Sequence, residues 1–545
     1  MHQRAKDLKR KGDKLFQQRL PLVSMWQEIA DNFYPERADF TISRNIGEEF
    51  ADYLYDSYPL IARRDLGNSV SAMLRPKGTE WFRIGVQGPE VADIWGKRWL
   101  ESKTRVMRLA MYARKAQFTR ATKEGDHDYI TFGQNCLSVE MNRDRTDFLF
   151  RCWHLRDVVW VENCDGGVDE VHRRWKLEAS SLLKLFPKWK SEDVQTIAKD
   201  DPLKEIEVRH VVIPADDYHD TGNKKWNTKY VSVYLDVERE QIIEEVGINH
   251  QIYVIPRWQT VSGSQYAHSP ATVVALADAR QIQTMSRVLI EAGEKAVDPP
   301  MIATQEAIRS DLGLFAGGVT WVDSQYDERL GEVLRPITQD RSGLPVGMDM
   351  KAQAREIISE AFFLNKLTLP PVQAQPMTAY ETSQRIQEFI RSTMPLFEPM
   401  EDDYNGQLCE ATFDLGMANG LFGPVEDIPD SLRGRDIEFQ FESPLHDAID
   451  RSAGARFGEM AEMLAVAAQM DPDTTVHVDP HVALRDSLEK VGVSANWIQP
   501  EEQALGELGA RRQARSEQEA LGEVAAVTEL AQAAGEAGQA LEAVS

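Results

Sequence analysis

The feature of this sequence that most constrains its fold is a pair of helical segments with a short β-rich segment between them. Apolar residues recur at helical spacing over 269–296, and Pro299 and Pro300 end that helix. Strand-like runs follow within 297–347, and a second helix is predicted over 348–367. A segment of this length inserted between two helices of a compact domain usually carries function. We expect a helix that leads out, a small β-rich tip and a helix that returns. The residues predicted on one face of the first helix are Val274, Ile282, Met285, Leu289 and Ala292.

Helices flank a region of strands in the first half of the chain. Between 136 and 254 the sequence is rich in the β-branched and aromatic runs that are typical of strands. Gly133 marks the end of the helical sequence before this region. The predicted fold class is therefore α+β. The predicted helices on either side of the strands and between them cover 5–34, 60–74, 91–132 and 180–198.

A long bent helix is predicted in the second half of the chain. It opens with a capping box at Thr378-Ala379-Tyr380-Glu381, and apolar residues follow in steps of three and four as far as Leu415. Pro395 and Pro399 must kink it, because each removes a backbone donor. The segment 500–545 is rich in Ala, Glu and Gln, which favours a helix that needs neighbours, or a frayed tail.

The net charge of the chain limits the ways in which it can interact with nucleic acid. Its 545 residues include 62 basic and 87 acidic side chains, for a formal net charge of -25. Phosphate binding needs a basic surface, so this balance argues against a protein that wraps nucleic acid. A conduit lined with carboxylates would instead repel a polyanion and keep it from adhering. An acidic composition is also ordinary, so charge alone does not select the conduit.

The sequence contains no motif for catalysis or for a cofactor. It lacks a P-loop, H-E-x-x-H, G-x-S-x-G and a G-x-G-x-x-G turn after a strand. The four cysteines have neither metal-ligand spacing nor the density of a disulfide scaffold. His477 and His481 lie four residues apart, but Pro480 favours a loop there over a metal-binding helix. We therefore expect that the protein is not an enzyme and that it binds neither a metal nor a cofactor. No apolar run is long enough to span a membrane.

Several short segments, each weak alone, form a specific set through their order and spacing. They are Trp26-Gln27-Glu28-Ile29-Ala30, Tyr55-Asp56-Ser57, Leu74-Arg75-Pro76, Glu80-Trp81-Phe82-Arg83-Ile84, Phe132-Gly133-Gln134-Asn135, Pro256-Arg257-Trp258, Tyr266-Ala267-His268-Ser269-Pro270, Asp298-Pro299-Pro300-Met301, Met377-Thr378-Ala379-Tyr380-Glu381 and Glu442-Ser443-Pro444-Leu445. Through this set, the chain resembles the portal, or head-to-tail connector, family of short-tailed bacteriophages over most of its length. Ala267 departs from the family's pattern, in which a glycine follows the tyrosine.

This resemblance implies a homo-oligomeric ring, usually a dodecamer, around a channel for double-stranded DNA that passes without specific binding. It implies a virion protein at the unique capsid vertex, assembled in the host cytoplasm, with no membrane involved. The implied partners are the major capsid protein, the tail adaptor protein and the terminase packaging motor. The implied regions are N-terminal helices and a mixed α/β wing over 1–268, stem helices over 269–296 and 348–367, a β-rich clip over 297–347, a channel loop over 368–377, a bent wing helix and closing strand over 378–445, a crown over 446–499 and a C-terminal helix, barrel or tail over 500–545.

The same resemblance assigns candidate functional residues. Basic side chains on the stem helices could face DNA or form ion pairs between subunits. The candidate channel or intersubunit residues are Arg280, Arg287, Lys351, Arg355, Leu369, Pro370, Gln373 and Gln375. The candidate clip residues that would face the tail or the motor are Phe315, Trp321, Asp323, Tyr326 and Arg329.

Two other classes of protein stay open at this point. One is an acidic helical adaptor or scaffold without a channel, which a measurement of ring mass would separate from a connector. The other is a metal-dependent nuclease or hydrolase that uses paired carboxylates. No motif supports the hydrolase, and it would require an activity that is lost when such carboxylates are replaced.

Overall fold

A computed structural model describes most of the chain. It covers residues 2–44, 47–48, 54–87, 93–218, 226–297, 343–367 and 400–441, the backbone of 301–303 and 334–336, and parts of 458–518. The chain divides into two compact units. The first contains residues 1–81 and 107–421, and the second contains 82–106 and 422–545. The mixture of helices and strands confirms the predicted α+β class.

The helical segment predicted over 5–34 is confirmed and consists of two helices, which pack within the first unit. Trp26 is fully buried, with its ring 5.6 to 6.3 Å from the rings of Phe40, Phe132 and Tyr266. These contacts pack the second helix against chain segments that are distant in sequence. Pro35 follows directly after the last turn of this helix. The first three helices are α1 (His2–Gln18), α2 (Leu20–Phe33) and α3 (Tyr58–Leu74).

A five-stranded antiparallel sheet forms the centre of the predicted strand region. Strands that follow one another in sequence are neighbours in the sheet. Leu8 of α1 packs with Val211 and Val233 on one face, and Leu182 packs with Val208 on the other. Both faces are therefore covered, which explains the long buried run in the central strand. The strands and their flanking helices are β4 (Val158–Glu162), β5 (Val168–Glu178), α6 (Ala179–Leu185), α7 (Glu192–Asp200), β6 (Glu205–Pro214), α8 (Ala215–Tyr218), β7 (Tyr230–Asp236) and β8 (Gln241–Ile248).

A smaller antiparallel sheet and a buried helix complete the body of the first unit. The sheet contains β2 (Leu137–Met141), β3 (Phe148–Cys152) and β9 (Tyr253–Val254) in the order β3-β2-β9. Helix α5 (Phe118–Phe132) packs against it and ends at Gly133, which has the left-handed conformation predicted for a helix terminus.

The described part of the second unit contains a two-stranded antiparallel ladder. Strand β1 (Phe82–Val86) pairs with β12 (Ile437–Phe441), and Phe82 lies opposite Phe441 in their register. The described helices of this unit include α4 (Ile94–Met111), most of which lies in it, and α13 (Pro480–Lys490).

The predicted out-and-back helix pair is present in the first unit. Helix α9 (Pro270–Val297) and helix α10 (Gly343–Ala361) run antiparallel, followed by the short α11 (Leu364–Leu367). A β-carbon added at Gly347 would lie 3.0 Å from the Leu289 side chain, so the two helices approach closely there. Strands β10 (Met301–Ala303) and β11 (Leu334–Pro336) pair antiparallel between the helices, in agreement with the predicted strand-like runs.

The predicted buried face of α9 is partly wrong. Val274, which was placed with the apolar face, is 59% exposed. The buried positions include the polar residues Thr272 and Ser286, which an apolar pattern leaves out. Their hydroxyl groups form hydrogen bonds within the protein, so burial costs them little. The residues buried on α9 are Ala271, Thr272, Ala275, Ala279, Ile282 and Ser286.

Two further predictions concern the C-terminal half. The loop expected around Pro480 and His481 is wrong, because Pro480 is the first residue of helix α13, where proline's missing N–H costs no hydrogen bond. The bent helix predicted from Thr378 is described only from Met400 onwards, as a π-helical turn over Glu401–Gly406 that continues into α12 (Gln407–Ala418). Residues 368–399 and 519–545 lie outside the described residues.

Candidate functional site

The start of helix α9 is joined to the end of helix α5. The Ser269 hydroxyl donates to the Ile130 carbonyl at 2.5 Å, and the Thr272 hydroxyl donates to the Thr131 carbonyl at 2.9 Å. These carbonyls lie in the last turn of α5, where they lack partners within their own helix. Pro270 can begin α9 because the first position of a helix needs no N–H donor. Helix α9 therefore starts from a fixed point in the core. We call α9 and α10 the stem, as a name for the helix pair that assigns it no role.

A glycine makes this junction possible. Gly133 has a φ of +78°, and a β-carbon on it would lie 2.3 Å from the backbone carbonyl carbon of His268. Next to it, the Gln134 side chain accepts a hydrogen bond from the Ala267 N–H at 2.9 Å, and the Trp258 N–H donates to the Gly133 carbonyl at 2.8 Å. Two chain segments that carry the family resemblance thus meet here. We call residues 130–135 and 266–272 the stem root.

A buried carboxylate links both stem helices to the segment before α3. Asp56 accepts hydrogen bonds at 2.8 Å from Lys351 and at 2.8 Å from Arg355, both on α10. The Ser286 hydroxyl of α9 donates to the same carboxylate at 3.3 Å. The Asp56 side chain is 1% exposed. We call Asp56 and these three partners the Asp56 anchor.

The backbone around Asp56 is held by a second set of bonds. The Gln283 side-chain oxygen accepts the N–H groups of Tyr55 and Asp56 at 2.8 and 2.9 Å, and its amide donates to the Asp56 carbonyl at 2.8 Å. One glutamine of α9 therefore satisfies three main-chain groups that would otherwise compete for water. The segment is fixed to the stem independently of the charge on Asp56.

The electrostatics of the Asp56 anchor favour the ionised carboxylate. Burial raises the pKa of Asp56, but the hydrogen bonds from Lys351, the Tyr58 N–H and Arg355 outweigh burial and leave the pKa below its usual range. The carboxylate is thus charged at neutral pH and neutralises cations from a helix that is almost 300 positions later in sequence. This arrangement sets how α10 lies along α9.

A second buried ion pair holds the π-helical turn. Arg75 is 6% exposed and donates to Asp126, which is fully buried, and to the Asn405 side chain at 2.6 Å. Its guanidinium carbon lies 4.5 Å from the ring centroid of Tyr404. Burial lowers the pKa of Arg75, but Asp126 more than compensates, so the pKa is raised overall. Arg75 belongs to one of the segments that carry the family resemblance, and here it joins α3, α5 and residues 401–406.

The structure gives each basic candidate of the stem a partner within the chain. Arg280 forms an ion pair with Glu28 at 2.5 Å, and Arg287 lies 3.9 Å from Glu291. Lys351 and Arg355 converge on Asp56, as described above. Whether these side chains also line a channel or contact another subunit stays a prediction.

The other candidates cannot be placed. The clip candidates Phe315, Trp321, Asp323, Tyr326 and Arg329 and the channel-loop candidates Leu369, Pro370, Gln373 and Gln375 lie outside the described residues. In the Asp56 anchor and the bonds around it, Asp56, Gln283 and Ser286 are the residues that the sequence analysis did not select. The available signals were the position of Asp56 in a resembling segment and the polar residues at helical spacing on α9.

The described part of the chain contains no candidate metal site. None of its groups of His, Cys, Asp and Glu side chains could hold a metal ion with three or more ligands. No helix in the described ranges is both long and apolar enough to cross a membrane. What this geometry provides is a rigid support for a helix pair.

Comparison with known proteins identifies the family to which this chain belongs. Residues 5–498 match the family described as "Bacteriophage head to tail connecting protein". The chain belongs to this family. The match covers both stem helices, the stem root and the Asp56 anchor, so the features that organise the first unit all lie within the connector sequence.

Two curated relatives are similar over nearly their whole length. The connector chain is 24% identical over 491 residues to the "Probable portal protein" of Bordetella phage BPP-1, covering 88% of this chain and 86% of that protein. It is 21% identical over 524 residues to the "Portal protein" of Salmonella phage epsilon15, covering 93% and 92%. Among solved structures, one described as "Virion of native gene transfer agent (GTA) particle" aligns over 75% of this chain and 88% of its own, with 12% identity and a TM-score of 0.34.

Proposed function

We propose that this connector forms a closed ring, of about twelve copies, at the unique vertex of a phage capsid. The ring is the conduit through which the genome is packaged and later ejected. The proposal is supported by membership of the connector family and by two relatives that are named portal proteins. A protein with this role acts by position and needs no catalytic group.

The observation that carries the proposal is a set of exposed apolar side chains on the described part of the two stem helices. Both helices bury one side against the body, yet each exposes apolar side chains on other sides. Such a surface is typical of a protein interface. In a ring, each copy presents two different faces to its two neighbours, so the stems of adjacent copies can cover one another. The exposed apolar residues are Val273, Val274, Val288, Ile290 and Val297 on α9, and Val346, Met348, Met350 and Ile357 on α10.

The charges on the stem fit a conduit through which DNA passes without binding. Helix α9 carries three basic and three acidic residues, and α10 carries two basic and three acidic ones. The basic candidates are paired with carboxylates of the same chain. A wall that is close to neutral releases few counterions from DNA, so a duplex would slide along it instead of adhering.

The remaining regions follow from the same proposal. The β10–β11 end of the stem is the clip, which receives the tail adaptor and the terminase motor. Residues 1–268 contain the wing, which contacts the major capsid protein. Residues 446–499 are the crown, and residues 500–545 are the C-terminal helix, barrel or tail. Assembly takes place in the host cytoplasm, and the finished ring is a component of the virion.

Negative-stain electron microscopy of the purified chain tests this function. We expect annular particles with a central hole, and we expect Val288→Glu to abolish them because it places a charge on the outer face of the stem. The matched control is Val261→Glu, a valine of similar exposure in the loop before α9, at 56% against 52%. Filled particles, or no particles, would favour the acidic adaptor. Rings that persist in Val288→Glu would contradict the interface.

A further inference from the structure

Three arginines surround a single phenylalanine beneath helix α1. The guanidinium carbons of Arg174, Arg19 and Arg209 lie 3.5, 5.0 and 5.6 Å from the ring centroid of Phe16. Arg174 and Arg209 are also direct cross-strand neighbours in the pairing of β5 with β6. Like charges opposite one another in a sheet repel. This concentration of positive charge stands out in a chain with a net charge of -25.

Two of the three arginines have partners. Arg19 donates to the carbonyls of Leu155 at 2.7 Å and Val158 at 2.5 Å, and also to that of Arg156. Arg209 forms an ion pair with Asp13 at 2.7 Å and donates to the Lys9 carbonyl at 2.9 Å. Their terminal nitrogens are therefore used within the protein.

Arg174 is different. In the part of the chain that the structure describes, Arg174 has no hydrogen bond and no ion pair. Its guanidinium group lies over the face of the Phe16 ring. Its Nε is buried without a partner, its two terminal nitrogens are not among the atoms buried in this way, and the side chain as a whole is half-buried. Burial and the charge of Arg209 lower its pKa, and the acidic groups Glu207, Asp157 and Asp13 raise it only from beyond ion-pair distance. Arg174 thus presents an open guanidinium fork that the chain itself does not neutralise.

We propose that Arg174 binds a carboxylate side chain of a neighbouring copy of this chain. The fork matches the two oxygens of a carboxylate, and the 87 acidic residues of the chain supply many such groups on any facing surface. Binding would also relieve the repulsion between Arg174 and Arg209. This inference rests on the proposed ring, in which each copy faces two others.

The test uses the full chain and two variants that remove the same charge. Arg174→Gln removes the fork, and Arg10→Gln removes an exposed arginine of α1 as the control. Mass photometry over a concentration series gives the concentration of half-assembly, and thermal unfolding of the unassembled chain gives Tm. We expect Arg174→Gln to raise the half-assembly concentration by about tenfold or more without lowering Tm. Arg10→Gln should change neither quantity.

Each other outcome overturns the contact. If Arg174→Gln lowers the monomer Tm and leaves assembly unchanged, the residue serves only to pack on Phe16. If it leaves assembly unchanged but weakens binding of a fluorescent DNA duplex, the ligand is a phosphate and not a neighbour's carboxylate. A wild-type chain that forms no rings would overturn both the ring and the contact. Rings that form equally well in Arg174→Gln would overturn the contact alone.

Discussion

The most informative single change is Asp56→Asn. Asparagine keeps the size and shape of the side chain, and the bonds between Gln283 and the backbone of residues 55–56 do not depend on the charge. The variant therefore removes the negative charge between the stem helices and little else. Lys351 and Arg355 are left facing a neutral amide.

The expected loss of stability depends on how exposed the side chains of Asp56, Lys351 and Arg355 are. Removing one partner of a fully buried ion pair costs about 3–5 kcal/mol. Asp56 is buried, but the side chains of Lys351 and Arg355 are 25% and 45% exposed, so both cations can regain water. We discount the figure accordingly and expect the free energy of unfolding to fall by about 2 kcal/mol.

Urea unfolding of the unassembled chain, followed by tryptophan fluorescence, measures this loss. The control is Glu28→Gln, which removes a carboxylate from the exposed pair with Arg280 and should cost less than about 0.5 kcal/mol. Equal losses in the two variants would refute the role of the Asp56 anchor.

The pH dependence gives an independent check. Because the pKa of Asp56 is lowered by folding, its charge stabilises the protein above the unfolded value of about 4, and that contribution disappears as pH falls through the folded pKa. The difference between wild type and Asp56→Asn should be constant from about pH 8 to pH 5 and should shrink below about pH 4. A difference that already shrinks near pH 7 would contradict the assignment.

Two further predictions concern the supports of the stem. Gly133→Ala should cost about 3 kcal/mol or more in urea unfolding, because the backbone of His268 must move, whereas Gly263→Ala should cost about 1 kcal/mol because it also has positive φ but has open space around it. Equal costs would contradict the close approach at the stem root. Arg75→Leu should cost about 3–5 kcal/mol because it leaves Asp126 buried without its cation, while Arg108→Leu, at a more exposed pair, should cost less than about 1 kcal/mol. A loss in Arg75→Leu no larger than that of its control would show that the buried pair adds no net stability.

Local sequence signals predicted the elements well. The stop at Pro299-Pro300, the glycine after α5 and the β-branched runs of the sheet are each set by the conformational preferences of a few neighbouring residues. They predicted both helices of the out-and-back pair and the strands of the central sheet. Pro480 failed as a loop signal because the same fixed φ that breaks a helix interior suits its first turn.

The candidate site was harder to predict because its contacts are not local. Asp56 meets Ser286 and Arg355 across 230 and 299 residues of sequence, and no periodicity reports such a contact. The pattern on α9 also misplaced Val274, since it counted apolar residues only and so left out the buried Thr272 and Ser286. Buried polar side chains that find partners in tertiary structure are invisible to hydrophobic spacing.

The mass of the assembled particle tests the central claim most directly. Mass photometry of the purified chain at modest salt should show a dominant species near 740 kDa, about twelve times the 61.7 kDa of one chain. A neighbouring ring size would change the copy number and keep the closed ring. Particles that stay at the mass of one or two chains over a broad concentration range would contradict the ring and make the acidic adaptor the better account.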